Sequence, residues 1–198
     1  MAARSDGLAS LVRVFDDWPR AGVRFHDVTP LLADAGGLRQ VVTAIADHFA
    51  HGIVDAGGGP VTHVAGIEAR GFPVAAPVAL RLDAGFLPVR RAGRLPAEVE
   101  SAECILEYGT ELLEMQRAPL HPGSSVLIVD DVLGTGATAE AVVRMVRRCG
   151  GEVAGYACVA EVAADAGRER LGDVPVLSVL RVESGQVLPG VDHTGRGV

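Results

Sequence analysis

Apolar residues recur along this chain in two rhythms. In LRQVVTAIADHFAHG, residues 38–52, Leu38, Val41, Val42, Ile45 and Phe49 fall three or four positions apart, which predicts a helix with one buried face. AEAVVRMVRRCGG, residues 139–151, keeps the same spacing and is closed by Gly150 and Gly151. FPVAAPVALRL, 72–82, is expected to be helical despite Pro77, and residues 7–17 to form a short helix ending near Trp18-Pro19. The second rhythm is the short continuous apolar run of a strand covered on both faces: VTHVAGI (61–67), AGFLPVR (84–90), VLIVD (126–130), EVAGYACVAEV (152–162) and VPVLSVL (174–180). ELLEMQ, 111–116, alternates like a half-buried strand. Strands alternating with helices predict one α/β domain built on a mainly parallel sheet.

Three stretches fit neither rhythm. GVRFHDVTPLL, 22–32, reads as a structured loop bounded by Gly22 and Pro30. RAGRLPAEVESAE, 91–103, is polar, and inside a compact domain such a segment is either disordered or a functional lid. Residues 185–198, GQVLPGVDHTGRGV, are rich in glycine and polar groups and read as a flexible tail after a domain spanning 1–184.

Composition narrows the functional classes. The 198 residues suit one domain with a full core. Lys and Arg number 18 against 25 Asp and Glu, and aromatics are 4%, which together argue against a nucleic-acid partner while leaving room for a local basic patch. No apolar run reaches the length of a membrane span and the first residues lack the apolar core of a signal peptide, so no membrane partner is expected. Cys104, Cys149 and Cys158 form no metal-ligand or paired spacing, which points to buried bystanders in a reducing cytoplasm.

The candidate chemistry lies in VLIVDDVLGTGATAEA, 126–141: a strand, a glycine turn and a helix start. Backbone N–H groups and the helix dipole make such a turn an anion site, and Thr135 and Thr138 add hydroxyl donors. Gly134 to Ala139 satisfies the dinucleotide pattern G-x-G-x-x-G/A, with Glu161 placed as a ribose acid at the end of the next strand. Against that, the turn lies two-thirds along the chain, and Asp130 and Asp131 would repel a pyrophosphate. A P-loop is absent, since no G-x-x-x-x-G-K-[ST] occurs. The acids alone are also compatible with a plain strand end facing a helix N-terminus. A ribose 5-phosphate satisfies every part: one phosphate for the amides of 134–138 and a neutral diol for Asp130 and Asp131.

The stretch resembles the 5-phosphoribosyl-1-pyrophosphate (PRPP) motif of the type I phosphoribosyltransferases. Four further segments resemble the adenine phosphoribosyltransferase branch of that family, in the family's order: WPRAGVRFHDVTPLL, GIEARGF, LPVRRAGRLP and LEYGTELLEM. The resemblance implies that fold, with a small N-terminal hood (1–37) and a mobile lid near 91–108. It implies transfer of the phosphoribosyl group of PRPP to adenine through an oxocarbenium-like state, giving AMP and pyrophosphate with Mg²⁺. The metal would be held mainly by PRPP, pyrophosphate and water. A homodimer is implied as well. Two alternatives stay open: the same transfer to another purine, or a non-catalytic sensor of PRPP or purine on the same fold.

By the same resemblance, Asp130 and Asp131 hold the ribose hydroxyls, and Gly134, Thr135, Gly136, Ala137 and Thr138 hold the 5-phosphate. Arg70 contacts pyrophosphate beside a loop that in relatives often contains a non-proline cis peptide, with Arg90, Arg91 and Arg94 on the same side. Arg24, Phe25, His26 and Val162 surround the purine. Glu107 and Tyr108 close over the reacting centre, with Glu107 the candidate to accept or relay the N9 proton. The chain departs from the family in four places. His26 stands where the family has Arg, Arg91 and Arg94 where it has Lys, and Cys104 where Tyr is frequent. The usual A-T-G-G-T is G-T-G-A-T, so Ala137 is expected to meet backbone angles that suit glycine.

Overall fold

The computed structural model describes residues 5–55, 59–106, 109–183, 186–190 and 192. In chain order the elements are α1 (Ser5–Ala9), β1 (Arg13–Phe15), β2 (Phe25–Asp27), α2 (Thr29–Ala33), α3 (Ala35–Asp55), β3 (His63–Ile67), α4 (Phe72–Arg81), β4 (Gly85–Arg91), β5 (Val99–Leu106) and β6 (Gly109–Gln116). They continue as β7 (Ser125–Leu133), α5 (Ala137–Arg148), β8 (Glu152–Val162), a 3₁₀ turn (Ala163–Asp165), α6 (Gly167–Arg170), β9 (Val176–Glu183) and β10 (Gln186–Pro189).

Eight strands make one sheet in the order β10-β9-β8-β7-β3-β4-β6-β5. The central five, from β9 to β4, run parallel, while β10, β6 and β5 join antiparallel at the edges. Alternation along β7 explains its unbroken apolar run. Val126 and Ile128 enter one core with α5, and Leu127 and Val129 enter a second core with α3 and α4. Ile45 and Phe49 of α3, expected from spacing, are buried in that second core, and each such side chain contributes about 1.5–3 kcal/mol. Pro77 does leave α4 intact: Val74, Ala75, Val78 and Ala79 are buried against the sheet, and that packing outweighs one lost backbone bond.

Strand order reverses between β3 and β7, which are hydrogen-bonded neighbours although the chain leaves them in opposite directions. Beyond the carboxyl ends of such a pair lies the usual crevice for ligands in open α/β sheets. Here the crevice falls between the loop after Ile67 and the loop after Leu133.

The peripheral expectations need correction. The predicted helix over 7–17 shrinks to α1, because Arg13–Phe15 pairs as β1 with Phe25–Asp27. The expected loop 22–32 contains that second strand and then α2, with Pro30 in its first turn, where a missing N–H costs nothing. Residues 99–103 of the polar segment belong to β5, paired along its length with β6. The expected tail supplies β10, paired with β9 from Gln186–Glu183 to Pro189–Leu180, and Gly190 N–H donates to Val179 O at 2.9 Å. Its alternation was hidden by the glycines and prolines around a strand of only 4 residues.

Candidate active site

The glycine turn delivers β7 into α5. Gly136, at φ 76°, is the helix N-cap in the left-handed region, which glycine enters without strain. Ala137 is the first helical residue and buried; its φ is not positive, so the expected conflict with glycine-like angles does not arise. The first intrahelical bond runs from Glu140 N–H to Gly136 O at 2.9 Å, which leaves the amides of Ala137, Thr138 and Ala139 outside the helical ladder. A cavity of about 190 Å³ opens onto this turn, walled by Asp130, Gly134–Thr138 and Tyr156.

The two acids are not equivalent. Asp130 is half-buried on the cavity wall, and its Oδ1 accepts the Asp131 N–H at 2.9 Å. Asp131 is buried, with Arg70 Nε 2.9 Å from its Oδ2. That N–H is not aimed at the oxygen, so Oδ2 is a buried acceptor with no hydrogen bond. Burial, and next the charge of Asp131, pushes the Asp130 carboxyl well above the usual range. Burial raises Asp131 too, opposed by the Arg70 guanidinium.

Arg70 also spans to β2, its guanidinium 4.9 Å from the centre of the Phe25 ring, which packs edge-on against Trp18 at 4.3 Å. The structure therefore joins a residue expected at the pyrophosphate with one expected at the base. Arg24 pairs with Asp16 at 3.4 Å, both exposed. His26 is buried with Nε2 unpartnered; burial first, then the Arg24 charge, lowers its pKa. Val162 ends β8 one residue past the Glu161–Leu133 pair, on the same sheet rim as Gly134.

Across the crevice the peptide between Glu68 and Ala69 is cis, in the loop that leads to Arg70. The Glu68 carboxylate gathers the second basic loop. Oε1 accepts from Arg90 Nη2 and Arg94 Nη1, each at 3.2 Å, and Oε2 accepts the Arg91 N–H at 2.9 Å. The side chain of Arg91 turns to Glu111 at 2.7 Å. Glu107 and Tyr108, which follow β5 in the sequence, lie outside the described residues.

Three residues at the site take no role from the sequence alone: Tyr156, Gly167 and Glu68. Tyr156 is buried under the cavity, and only its register beside Ile128 in the parallel β7–β8 pair brings it there. Gly167 backs the glycine turn, and Glu68 organises the arginines. Glu161, weighed as a ribose acid, instead offers both oxygens to Arg168 at 2.9 and 2.6 Å and is buried. Burial works against its charge, but the Arg168 hydrogen bonds outweigh that and hold its pKa below the usual value. A hydrogen bond of 3.3 Å joins Cys104 Sγ to Thr138 Oγ1, fastening the hairpin to the first turn of α5.

A doubly wound sheet with an anion cradle, an acid pair and clustered arginines at its switch point defines an α/β protein built for a phosphorylated ligand. Comparison with known proteins narrows this. The Phosphoribosyl transferase domain family matches residues 38–192. An adenine phosphoribosyltransferase from Thermobifida fusca is 47% identical over 171 residues, 86% of this chain and 93% of that one. The crystal structure of adenine phosphoribosyltransferase from Rhodothermus marinus superposes with a TM-score of 0.81 at 41% identity, covering 90% of this chain and 98% of the other. The Giardia lamblia enzyme, solved with 9-deazaadenine, gives 0.83 at 30% identity, covering 92% and 99%. The chain belongs to the phosphoribosyltransferase family, in its adenine phosphoribosyltransferase branch, and has the type I fold that its motifs imply.

Proposed function

We propose that this chain joins adenine to the 5-phosphoribosyl group of PRPP, giving AMP and pyrophosphate. The observation that carries this reading is the shared cavity of Asp130 and the glycine turn. One wall offers amides to a phosphate and the adjoining wall a carboxylate to a diol. Family membership and the named relatives support the reaction.

In the reaction the purine N9 bonds to ribose C1, the C1–O bond to pyrophosphate breaks, and N9 loses a proton. Gly134, Thr135, Gly136, Ala137 and Thr138 hold the 5-phosphate. Asp130 accepts a hydrogen bond from a ribose hydroxyl at the cavity, and Asp131, the second acid of the pair, takes the other hydroxyl. Arg70, Arg90, Arg91 and Arg94 bear the charge that grows on pyrophosphate; such groups act most strongly where water is excluded. Arg24, Phe25, His26 and Val162 border the purine, and Glu107 and Tyr108 close over the centre.

Magnesium is taken to arrive on the pyrophosphate. The donor set suits it, since this cation uses one or two carboxylates with phosphate oxygens and waters, and Asp130 presents a carboxylate to the cavity. When bound, the ion supplies charge neutralisation to the leaving group. The family's homodimer and a cytoplasmic location complete the reading; among the described residues no helix is long and apolar enough to cross a membrane.

One observation favours a second reading. His26 puts a neutral, buried ring where the family has a guanidinium, so a different purine is the rival substrate. Pyrophosphate release with PRPP, Mg²⁺ and each of adenine, hypoxanthine, guanine and xanthine separates the two. Turnover with adenine supports the proposal, turnover only with oxopurines moves the chain to another branch, and no turnover with any base refutes the enzyme reading.

A further inference from the structure

Glu68 has no part in the chemistry described so far, yet Arg90, Arg91 and Arg94 all donate to its carboxylate. It is the first residue after β3, and its own N–H donates to Val89 O at 2.9 Å, extending the β3–β4 pairing by one step. Backbone and carboxylate are thus both tied to the end of β4. The side chain is 11% exposed, whereas Arg90 and Arg94, which it binds, are 34% and 53% exposed. A nearly buried anion faces two cations whose outer edges meet solvent.

Resting on the proposed reaction, we propose that Glu68 is a positioning residue whose carboxylate sets Arg90, Arg91 and Arg94 in place for the pyrophosphate of PRPP. Three guanidiniums in five residues repel one another and, on exposed stems, sample many rotamers. Each carries about 2 kcal/mol of rotamer entropy. Glu68 bridges two of them through Oε1 and fixes the backbone of the third through Oε2. Arg90 Nη1 then donates to Arg94 O at 3.1 Å, which closes the loop on itself. Ordering supplied by these contacts within the chain need not be supplied by binding. Glu68 and Glu111 pair with the three guanidiniums, and a third carboxylate, Glu114, accepts the Gly93 N–H at 2.9 Å, so the outer edges of Arg90 and Arg94 are the parts left toward solvent. The N–H bond from Arg91, with the charges of Arg90 and Arg94, also keeps Glu68 ionised: its pKa lies below the ordinary glutamate value despite burial.

The test uses the full chain and the variants Glu68→Gln, Glu68→Asp, Arg94→Gln and the Glu68→Gln/Arg94→Gln pair, each checked for a cooperative melt. Pyrophosphate affinity is measured by calorimetry with Mg²⁺, and PRPP KM, adenine KM and kcat by turnover. Glu68→Gln is expected to weaken pyrophosphate binding and raise PRPP KM about tenfold, the scale of one lost charge-assisted arrangement. Adenine KM should stay within about twofold and kcat should fall less than PRPP KM rises. Glu68→Asp, which keeps the charge, should recover most of the loss, and in the Arg94→Gln background the Glu68→Gln effect should shrink. Unchanged or tighter pyrophosphate binding in Glu68→Gln overturns the proposal, as does equal loss in Gln and Asp. The calorimetric arm does not depend on turnover. A chain that binds pyrophosphate through Glu68 but converts no purine keeps this proposal and loses the proposed reaction.

Discussion

The backbone of Gly167 rests on the carbonyl of Gly134: a Cβ on Gly167 would stand 2.0 Å from Gly134 O and 2.9 Å from Gly136 N. The contact is mutual, since a Cβ on Gly136 would meet Gly167 O at 2.7 Å. The start of α6 is thus the floor on which the glycine turn is laid. Gly167→Ala should displace the turn, cost about 3 kcal/mol or more and raise PRPP KM, as urea unfolding and steady-state kinetics will register. Gly134→Ala restores the family's residue and would meet only the tip of Asp165, at 3.2 Å. It should cost less than about 1 kcal/mol and leave KM nearly unchanged. Equal effects of the two variants would refute this account of the turn.

Glu161 and Arg168 hold that floor from the other side. Arg168 also donates to Val176 O at 2.9 Å and Asp192 O at 3.3 Å, so the ion pair ties β8, α6, β9 and Asp192 together. Arg168→Met leaves a buried carboxylate without its partner and should destabilise by about 3–5 kcal/mol, whereas Arg168→Met with Glu161→Leu should recover much of it. Denaturant melts of the two variants decide this.

The acid pair opposes stability where it serves binding. The folded-state pKa of Asp130 is raised, so its stabilising, protonated form is fully present below the ordinary aspartate value and lost as pH rises through the folded value. Asp130→Asn keeps an oxygen for the Asp131 N–H and removes the charge. Its Tm at pH 7 should exceed the parent's by about 2–4 °C, with the advantage fading in acid, while PRPP KM rises steeply. A lower Tm at pH 7 would contradict the burial argument.

His26 gives the opposite slope. Its folded pKa is lowered, so the stability of the neutral ring is fully present above about 6.5 and lost as pH falls through the folded value. Urea midpoints of the parent should fall more between about pH 7.5 and 5.5 than those of His26→Gln. Nitrogen-15 NMR should find the His26 ring neutral at about pH 6.5. A protonated ring at that pH would refute the assignment.

The α/β alternation, the helices α3, α4 and α5 and the core strands were legible in the sequence because buried faces impose a period on apolar residues. The glycine turn and helix start were legible because such a turn needs glycine at a fixed offset, as Gly136 at φ 76° shows. Short elements were not. β1, β2 and β10 have 3, 3 and 4 residues, too few to display a rhythm, and they exist through pairing with distant partners.

The sequence by itself thus determined the family and the glycine turn at the start of α5, since these depend on residue types at short spacing. Only the tertiary structure decided which acid faces the cavity, that Glu161 serves Arg168, that Tyr156 lines the cavity and Gly167 backs the glycine turn, and that Glu68 gathers the basic loop. Each of those outcomes turns on strand register and on close approach between segments far apart in the chain. Spacing along a sequence carries no record of either.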